Sequence, residues 1–174
     1  MKILITGING LVGNSLYKLL QNSNHKLFYS SRTKVGLAKY KVDISNRDEV
    51  NSFFKSEKPD VVINCAAMAN VDLCEEEKDL CRKINVGGVQ NLVEACKVYS
   101  VHLTHISTDY IFDGQKESGK YNEDDIPNPQ GYYAKSKFEG EKVIIESNIS
   151  HSILRTILVY GAHNKPNIVT FVKN

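Results

Sequence analysis

The sequence predicts an α/β protein: a doubly wound parallel sheet with helices on both faces. Three observations carry that prediction. Short apolar runs alternate with longer amphipathic ones along the chain. The run Gly7-Ile8-Asn9-Gly10-Leu11-Val12-Gly13 stands between the first apolar stretch and the first amphipathic one. Residues 60–65 and 101–107 are nearly continuously apolar or β-branched, as parallel strands covered on both faces are.

The first strand is predicted over 2–6 and the first helix over 11–21, where Leu11, Val12, Leu16, Leu19 and Leu20 share one stripe. A second strand follows over 26–30. Asn46-Arg47-Asp48-Glu49 resembles a capping box opening a helix through about Ser56, and Pro59 stops it. After the strand at 60–65, residues 72–99 have a long helical pattern interrupted near Gly87-Gly88. The strand at 101–107 leads into an irregular connection over 109–130. That length points to function, at the carboxyl ends of the strands where such sheets bind ligands. Pro127 and Pro129 precede a last helix over 131–146, and residues 152–158 form a fifth strand. Repeated units of this kind imply right-handed crossovers. There is no internal repeat and no low-complexity segment.

A length of 174 residues suits one domain. With 41% hydrophobic and 24% charged residues the composition is that of a globular protein, and a net charge of +2 points to neither nucleic acid nor an anionic membrane as partner. Cys65, Cys74, Cys81 and Cys96 include no C-x-x-C pair. Cys74 and Cys81 can share one helix face, which speaks for core packing above a metal pair, and no metal is expected. Reduced thiols, no span-length apolar segment and no signal-peptide core favour the cytoplasm.

The glycine run is built for phosphate. One glycine permits a tight turn, another lets the backbone approach a pyrophosphate, and the last lets helix and strand pack closely. The helix N-terminus then offers free N–H groups and a positive dipole end. Gly7, Asn9, Gly10, Leu11, Val12 and Gly13 are therefore the expected cofactor contacts, in a Rossmann-like domain spanning residues 1–174. Where an NAD-selective site carries an acid, this chain reads Ser31-Arg32, and the arginine can grip a 2′-phosphate. NADP(H) is thus preferred over NAD(H), with a solvated loop arginine as the alternative. Asp43 and Ile44 can cap the adenine. Cys65, Ala66 and Ala67 end a strand with small residues, which suits either a close-lying ring or tight packing.

Tyr133 and Lys137 lie four apart on one helix face. A nearby ammonium favours the phenolate and lowers the phenol's pKa, so that tyrosine can hand a proton to a ketone oxygen as hydride reaches carbon. Thr108 places a hydroxyl at the end of its strand to orient the carbonyl, and Ser107 precedes it. Asn85 reads equally as a proton-relay residue and as a surface helix asparagine. His102 and His105 read as satisfied core or edge histidines rather than ligands.

Taken together, Thr6-Gly7-x-x-Gly10-x-x-Gly13, Asn64-Cys65-Ala66-Ala67-x-x-x-Val71-Asp72, Asn85-Val86, Ser107-Thr108-Asp109-Tyr110-Ile111-Phe112-Asp113-Gly114, Tyr133-x-x-x-Lys137 with Gly140-Glu141, and Leu154-Arg155-Thr156-x-x-Val159-Tyr160-Gly161 run in order. In this the chain resembles the extended short-chain dehydrogenase/reductases, and within them the dTDP-4-dehydrorhamnose reductase family. The S-T-D-Y-x-F-D-G string is the specific part. The resemblance implies NADPH-dependent reduction of a nucleotide-linked 4-keto-6-deoxysugar. It implies Thr108, Tyr133 and Lys137 as the catalytic triad and Asp109 as a substrate contact. Related epimerases and dehydratases differ in that string. The regulatory subunit of methionine adenosyltransferase resembles the same family and stands as the alternative, a cofactor-binding protein without catalysis. Leu158 replaces a usual tryptophan, and Ser15 a glutamate that in some members joins a metal site between subunits. A homodimer thus stays open with no metal or dimer mode carried over. Residues 161–174 resemble the start of a substrate-binding lobe that family members continue well beyond this point.

Overall fold

The computed structural model describes residues 1–161. The expected start of a second lobe, at 161–174, therefore lies outside the described residues save for Gly161. Six strands form one sheet: β1 (Lys2–Thr6), β2 (Lys26–Ser31), β3 (Tyr40–Lys41), β4 (Val61–Asn64), β5 (His102–Thr108) and β6 (His151–Thr156). Every pairing is parallel, and the order is β3-β2-β1-β4-β5-β6. The chain reverses its direction of winding between β1 and β4, and the cleft beyond that point is where doubly wound sheets bind ligands.

Alternation along β1 sorts its side chains into two cores. Leu4 joins Phe28, Val62 and Leu103 against α2 (Arg47–Glu57), α5 (Gly88–Tyr99) and α6 (Tyr132–Glu146), through Val50, Phe54, Leu92 and Ile144. Ile3 and Ile5 face the other way, with Tyr29, onto Leu16, Tyr17 and Leu20 of α1 (Leu11–Leu20). Helices thus cover both faces, as the near-continuous apolar strands require.

Four expectations are corrected. The two-residue β3 carried no strand signal; it exists because it extends β2 at the edge, Ser30 opposite Tyr40 and Ser31 opposite Lys41. The final strand stops at Thr156 rather than at 158 because β5, its partner, ends at Thr108 opposite it, leaving Ile157 and Leu158 exposed. The long helix is divided into α3 (Val71–Glu76), α4 (Lys78–Arg82), a π-helical turn (Lys83–Gly87) and α5. The interruption near Gly87-Gly88 is thus the end of the π turn, whereas the break at Glu77, with φ −109° and ψ 57°, had no glycine or proline to announce it. Finally, Cys74 and Cys81 occupy α3 and α4 rather than one helix face, although both are buried, packing with Met68.

Asn46 caps α2 as the sequence suggests, accepting from the N–H groups of Asp48 (3.0 Å) and Glu49 (3.2 Å). The box closes differently. Glu49 turns its carboxylate to the Asp43 N–H at 2.9 Å and to Lys41 at 2.8 Å, which tethers the loop leaving β3.

Candidate active site

A groove follows the carboxyl ends of the strands. One part, of about 870 Å³, is lined by Gly7, Asn9, Gly10, Ser31, Arg32, Asp43, Ile44, Cys65, Ala66 and Ala67, among others. The next part, about 780 Å³, shares Gly10, Cys65 and Ala67 with it and adds Leu11, Val12, Gly13, Ser107, Thr108, Asp109, Tyr133 and Lys137. Every cofactor and catalytic residue read from the sequence, Asn85 aside, therefore lines one continuous groove. A third cavity of about 950 Å³ adjoins at Asp109, Tyr110 and Tyr133 and runs beneath the connection from β5 to α6.

The glycines act as their spacing implies. Gly7 has φ +65°, and a Cβ on it would lie 2.7 Å from the Ala66 nitrogen, so it lets the ends of β1 and β4 touch. A Cβ on Gly13 would meet the Gly7 carbonyl at 2.5 Å, closing helix onto strand. No side chain caps α1 at Gly10, which leaves first-turn N–H groups without a capping partner, and Gly10, Leu11, Val12 and Gly13 line the groove.

Two of the expected contacts have most of their polar capacity committed within the protein. Asn9 accepts from the Leu37 N–H (3.0 Å) and donates to the Val35 carbonyl (2.9 Å) and to Ser31 Oγ (3.2 Å). Ser31 Oγ in turn donates to the Thr33 carbonyl at 2.5 Å. Both residues shape the loop that carries the exposed Arg32. Gly36, at φ +59°, lets that loop pass the Asn9 amide, a relationship no local pattern reveals. Asp43 likewise binds Ser45 through its N–H (2.9 Å) and Oγ (2.8 Å). Ile44 is buried against Gly88, so only its edge can face a ring.

At the other end, Thr108 closes β5, accepting from the Tyr110 N–H at 3.2 Å and donating to Asp109 at 3.3 Å. Burial pushes the Tyr133 phenol up, while the neighbouring Thr108 hydroxyl works in the opposite direction. The Tyr133 ring stands edge-on to Tyr110, centroids 6.3 Å apart. The expectation that Lys137 lowers the phenol is not what the geometry shows. Its buried Nζ is turned to the Ile106 carbonyl at 2.7 Å and to His105 Nε2 at 3.1 Å. Burial drives the amine down to about 8, opposed by Glu141.

Asn85 is buried, so the surface reading is overturned. It sits in the π turn and binds both backbone groups of Met68 (2.8 and 3.0 Å) and Ser136 Oγ (3.0 Å), joining the segment after β4 to α6. His102, between Ser150 (2.8 Å) and Ser152 (3.2 Å), is a satisfied histidine as expected. His105 is satisfied and fully buried too. Arg155 went unassigned as a site residue, yet it forks onto the buried Glu141 (2.8 and 3.2 Å), reaches the Glu123 carbonyl at 3.2 Å and covers the Phe112 ring.

The model of the RmlD substrate binding domain family matches residues 1–174. The chain belongs to this family. A dTDP-4-dehydrorhamnose reductase of Aggregatibacter actinomycetemcomitans is 40% identical over 173 residues, 99% of this chain and 56% of that protein. Methionine adenosyltransferase 2 subunit beta of Rattus norvegicus is 34% identical over 168 residues, 94% and 48% of the two chains. The chain thus spans about half the length of these curated relatives. Among solved structures, a dTDP-4-dehydrorhamnose reductase from Clostridium acetobutylicum is 40% identical with TM-score 0.90, covering 99% of this chain and 58% of that one. The Bacillus anthracis enzyme of that name, in complex with NADP, is 31% identical with TM-score 0.88 over 99% and 58%. Within the RmlD family, then, this chain shares the fold of the matched part of those reductases. No helix among the described residues is long and apolar enough to cross a membrane.

Proposed function

We propose that this chain is the cofactor-binding half of an NADP-dependent reductase acting on a nucleotide-linked 4-keto-6-deoxysugar. The observation that carries the reading is the continuity of the groove from the Gly7–Gly13 turn to Thr108, Tyr133 and Lys137. A dinucleotide fits the residues present. Ser107 Oγ is buried at the groove without a hydrogen-bond partner in the structure, the kind of group that a bound ligand satisfies. The uncapped start of α1 suits a pyrophosphate, Arg32 a 2′-phosphate, and Lys137 the ribose hydroxyls near the nicotinamide.

NADPH, when bound, supplies the hydride. Tyr133 would give its proton to the carbonyl oxygen, with Thr108 holding that oxygen in line and Asp109 touching the sugar. The neighbouring 950 Å³ cavity is the space for the sugar nucleotide. A cofactor-binding regulator like the adenosyltransferase subunit is the weaker reading. It gives no reason for a threonine, tyrosine and lysine to converge beside a cleft of substrate size.

The test is Tyr133→Phe. Reduction of a dTDP-linked 4-keto-6-deoxysugar should fall by about two to four orders of magnitude, while NADPH affinity stays near wild type. Turnover at the wild-type rate in the variant would end the proton-donor assignment.

A further inference from the structure

Behind Lys137 runs a buried chain of hydrogen bonds that the proposed reaction does not itself use. Asn64 Oδ1 accepts from Thr6 Oγ1 at 2.6 Å and from the Ala66 N–H at 3.2 Å. The Ala66 nitrogen can only donate, so it fixes which end of the amide faces it. Asn64 Nδ2 therefore points at His105 Nδ1, 3.0 Å away, and donates to it. A neutral imidazole that accepts at Nδ1 carries its proton on Nε2. That Nε2 lies 3.1 Å from Lys137 Nζ. Thr6, Asn64, His105 and Lys137 are all buried.

An ammonium has three donors and no acceptor, so it would meet the Nε2–H donor against donor. An amine has a lone pair. It accepts from His105 and still donates to the Ile106 carbonyl, so every member of the chain is satisfied. We propose that Thr6, Asn64 and His105 select the neutral amine of Lys137, with His105 as the positioning residue that sets where its proton goes. The structural claim stands without the reductase reading; its bearing on catalysis rests on that reading.

Burial also disfavours the charged lysine, while the ionisable groups around it work in the opposite direction. Facing Lys137 are Glu141 on the same helix, Cys65 after β4 and Cys81 on α4. Glu141 is paired with Arg155, and burial pushes the Cys65 thiol up to about 12, keeping it neutral. Facing His105 is Lys137, which in its protonated form opposes a second charge on the ring. Burial and that neighbour hold the imidazole well below its usual range, so it remains neutral.

Nitrogen NMR of the labelled 174-residue chain tests this directly, because the two ring nitrogens of a neutral histidine differ widely in shift. At a pH above 8, His105 should show the Nε2–H tautomer. Asn64→Asp is isosteric and keeps an acceptor for Thr6 and Ala66, but it presents an oxygen to Nδ1. It should reverse the tautomer to Nδ1–H and raise the Lys137 titration by about one unit or more. His105→Gln, which can turn its carbonyl to an ammonium, should also raise it. An Nδ1–H tautomer in the wild type, or a Lys137 titration unmoved by both substitutions, overturns the proposal. Amide spectra of both variants establish that they fold. If the NMR results hold but Asn64→Asp moves neither NADPH affinity nor its pH dependence, the chain of hydrogen bonds stands and the role of Lys137 at a reductase cofactor falls.

Discussion

Gly140 lies against the main-chain carbonyl of Asn85 so closely that a Cβ on it would sit 2.7 Å from that oxygen. This contact lets α6, which carries Tyr133 and Lys137, pack onto the π turn. Asn85 in turn ties that turn to the loop after β4 and to Ser136. Backbone meets backbone here, so neither side can yield by rotating a side chain. Gly140→Ala should destabilise the protein by ~1–3 kcal/mol and displace α6 from the groove. Gly87, with nothing within 4 Å of its would-be Cβ, provides the contrast. Gly87→Ala should be neutral or stabilising by up to about 1 kcal/mol. Urea unfolding of the two variants checks both signs. Equal losses would mean that the close approach is not what Gly140 provides.

Arg155 and Glu141 form a second anchor for α6. The Glu141 side chain is 0% exposed and that of Arg155 20%, so removing either partner leaves a charge in a poor solvent. Glu141→Gln or Arg155→Met should cost ~3–5 kcal/mol, read as a lower urea midpoint with an unchanged slope. Because Arg155 also holds the Glu123 carbonyl and covers Phe112, its loss should loosen the loop over the 950 Å³ cavity. Under the reductase reading the KM for the sugar nucleotide should then rise more than that for NADPH. Replacing both residues together by apolar ones should recover most of the stability, because no unpaired charge is then left buried.

How legible these features are in the sequence depends on range. The glycine run, the five main strands, the Asn46 cap and the Tyr133/Lys137 face are local patterns, each fixed by spacing or by neighbours along the chain. β3 is too short for any periodicity and exists only as an extension of β2. The break at Glu77 has no local breaker; it follows from fitting α3, α4 and the π turn beside α6. Asn9 holding Val35 and Leu37, Asn64 holding His105, and His105 holding Lys137 are bonds between residues far apart in sequence. No pattern in one chain encodes such partners. For that reason Lys137 and Tyr133 could be assigned to one helix face, while the direction in which the lysine turns could not be read.

Arg32 offers a test of cofactor choice. It is exposed at the mouth of the groove, on a loop held by Asn9, and an arginine–phosphate contact is a strong, charge-assisted one. Arg32→Asp should lower the ratio of NADPH to NADH affinity by roughly one to two orders of magnitude. Asn9→Ala, which frees the loop without removing the charge, should weaken NADPH binding less and leave NADH binding changed by a similar factor. Fluorescence titration with both cofactors reads the two ratios. An unchanged ratio in Arg32→Asp would remove the phosphate clamp.

Lys137 also leaves a signature in stability against pH. Burial brings its titration down to about 8, against ~10.4 for an unfolded lysine. Below about 8 both states hold the proton, and the cost of burying the charge is present in full. Between the two values the unfolded chain binds one more proton than the folded one, so stability from this group rises with pH across that window. The thiols of Cys65, Cys74 and Cys96, pushed up to about 12 by burial, act in the opposite direction. The unfolded chain loses those protons first, from ~8.5 upward, so stability falls there. The raw curve mixes the two effects, and Lys137→Met separates them because it leaves the thiols in place. The stability of Lys137→Met relative to wild type should be greatest below pH about 8 and should decline by on the order of 3 kcal/mol as pH rises toward ~10.4. Urea unfolding at a series of pH values measures that difference. A difference independent of pH would mean that Lys137 titrates like an exposed lysine and carries no buried charge.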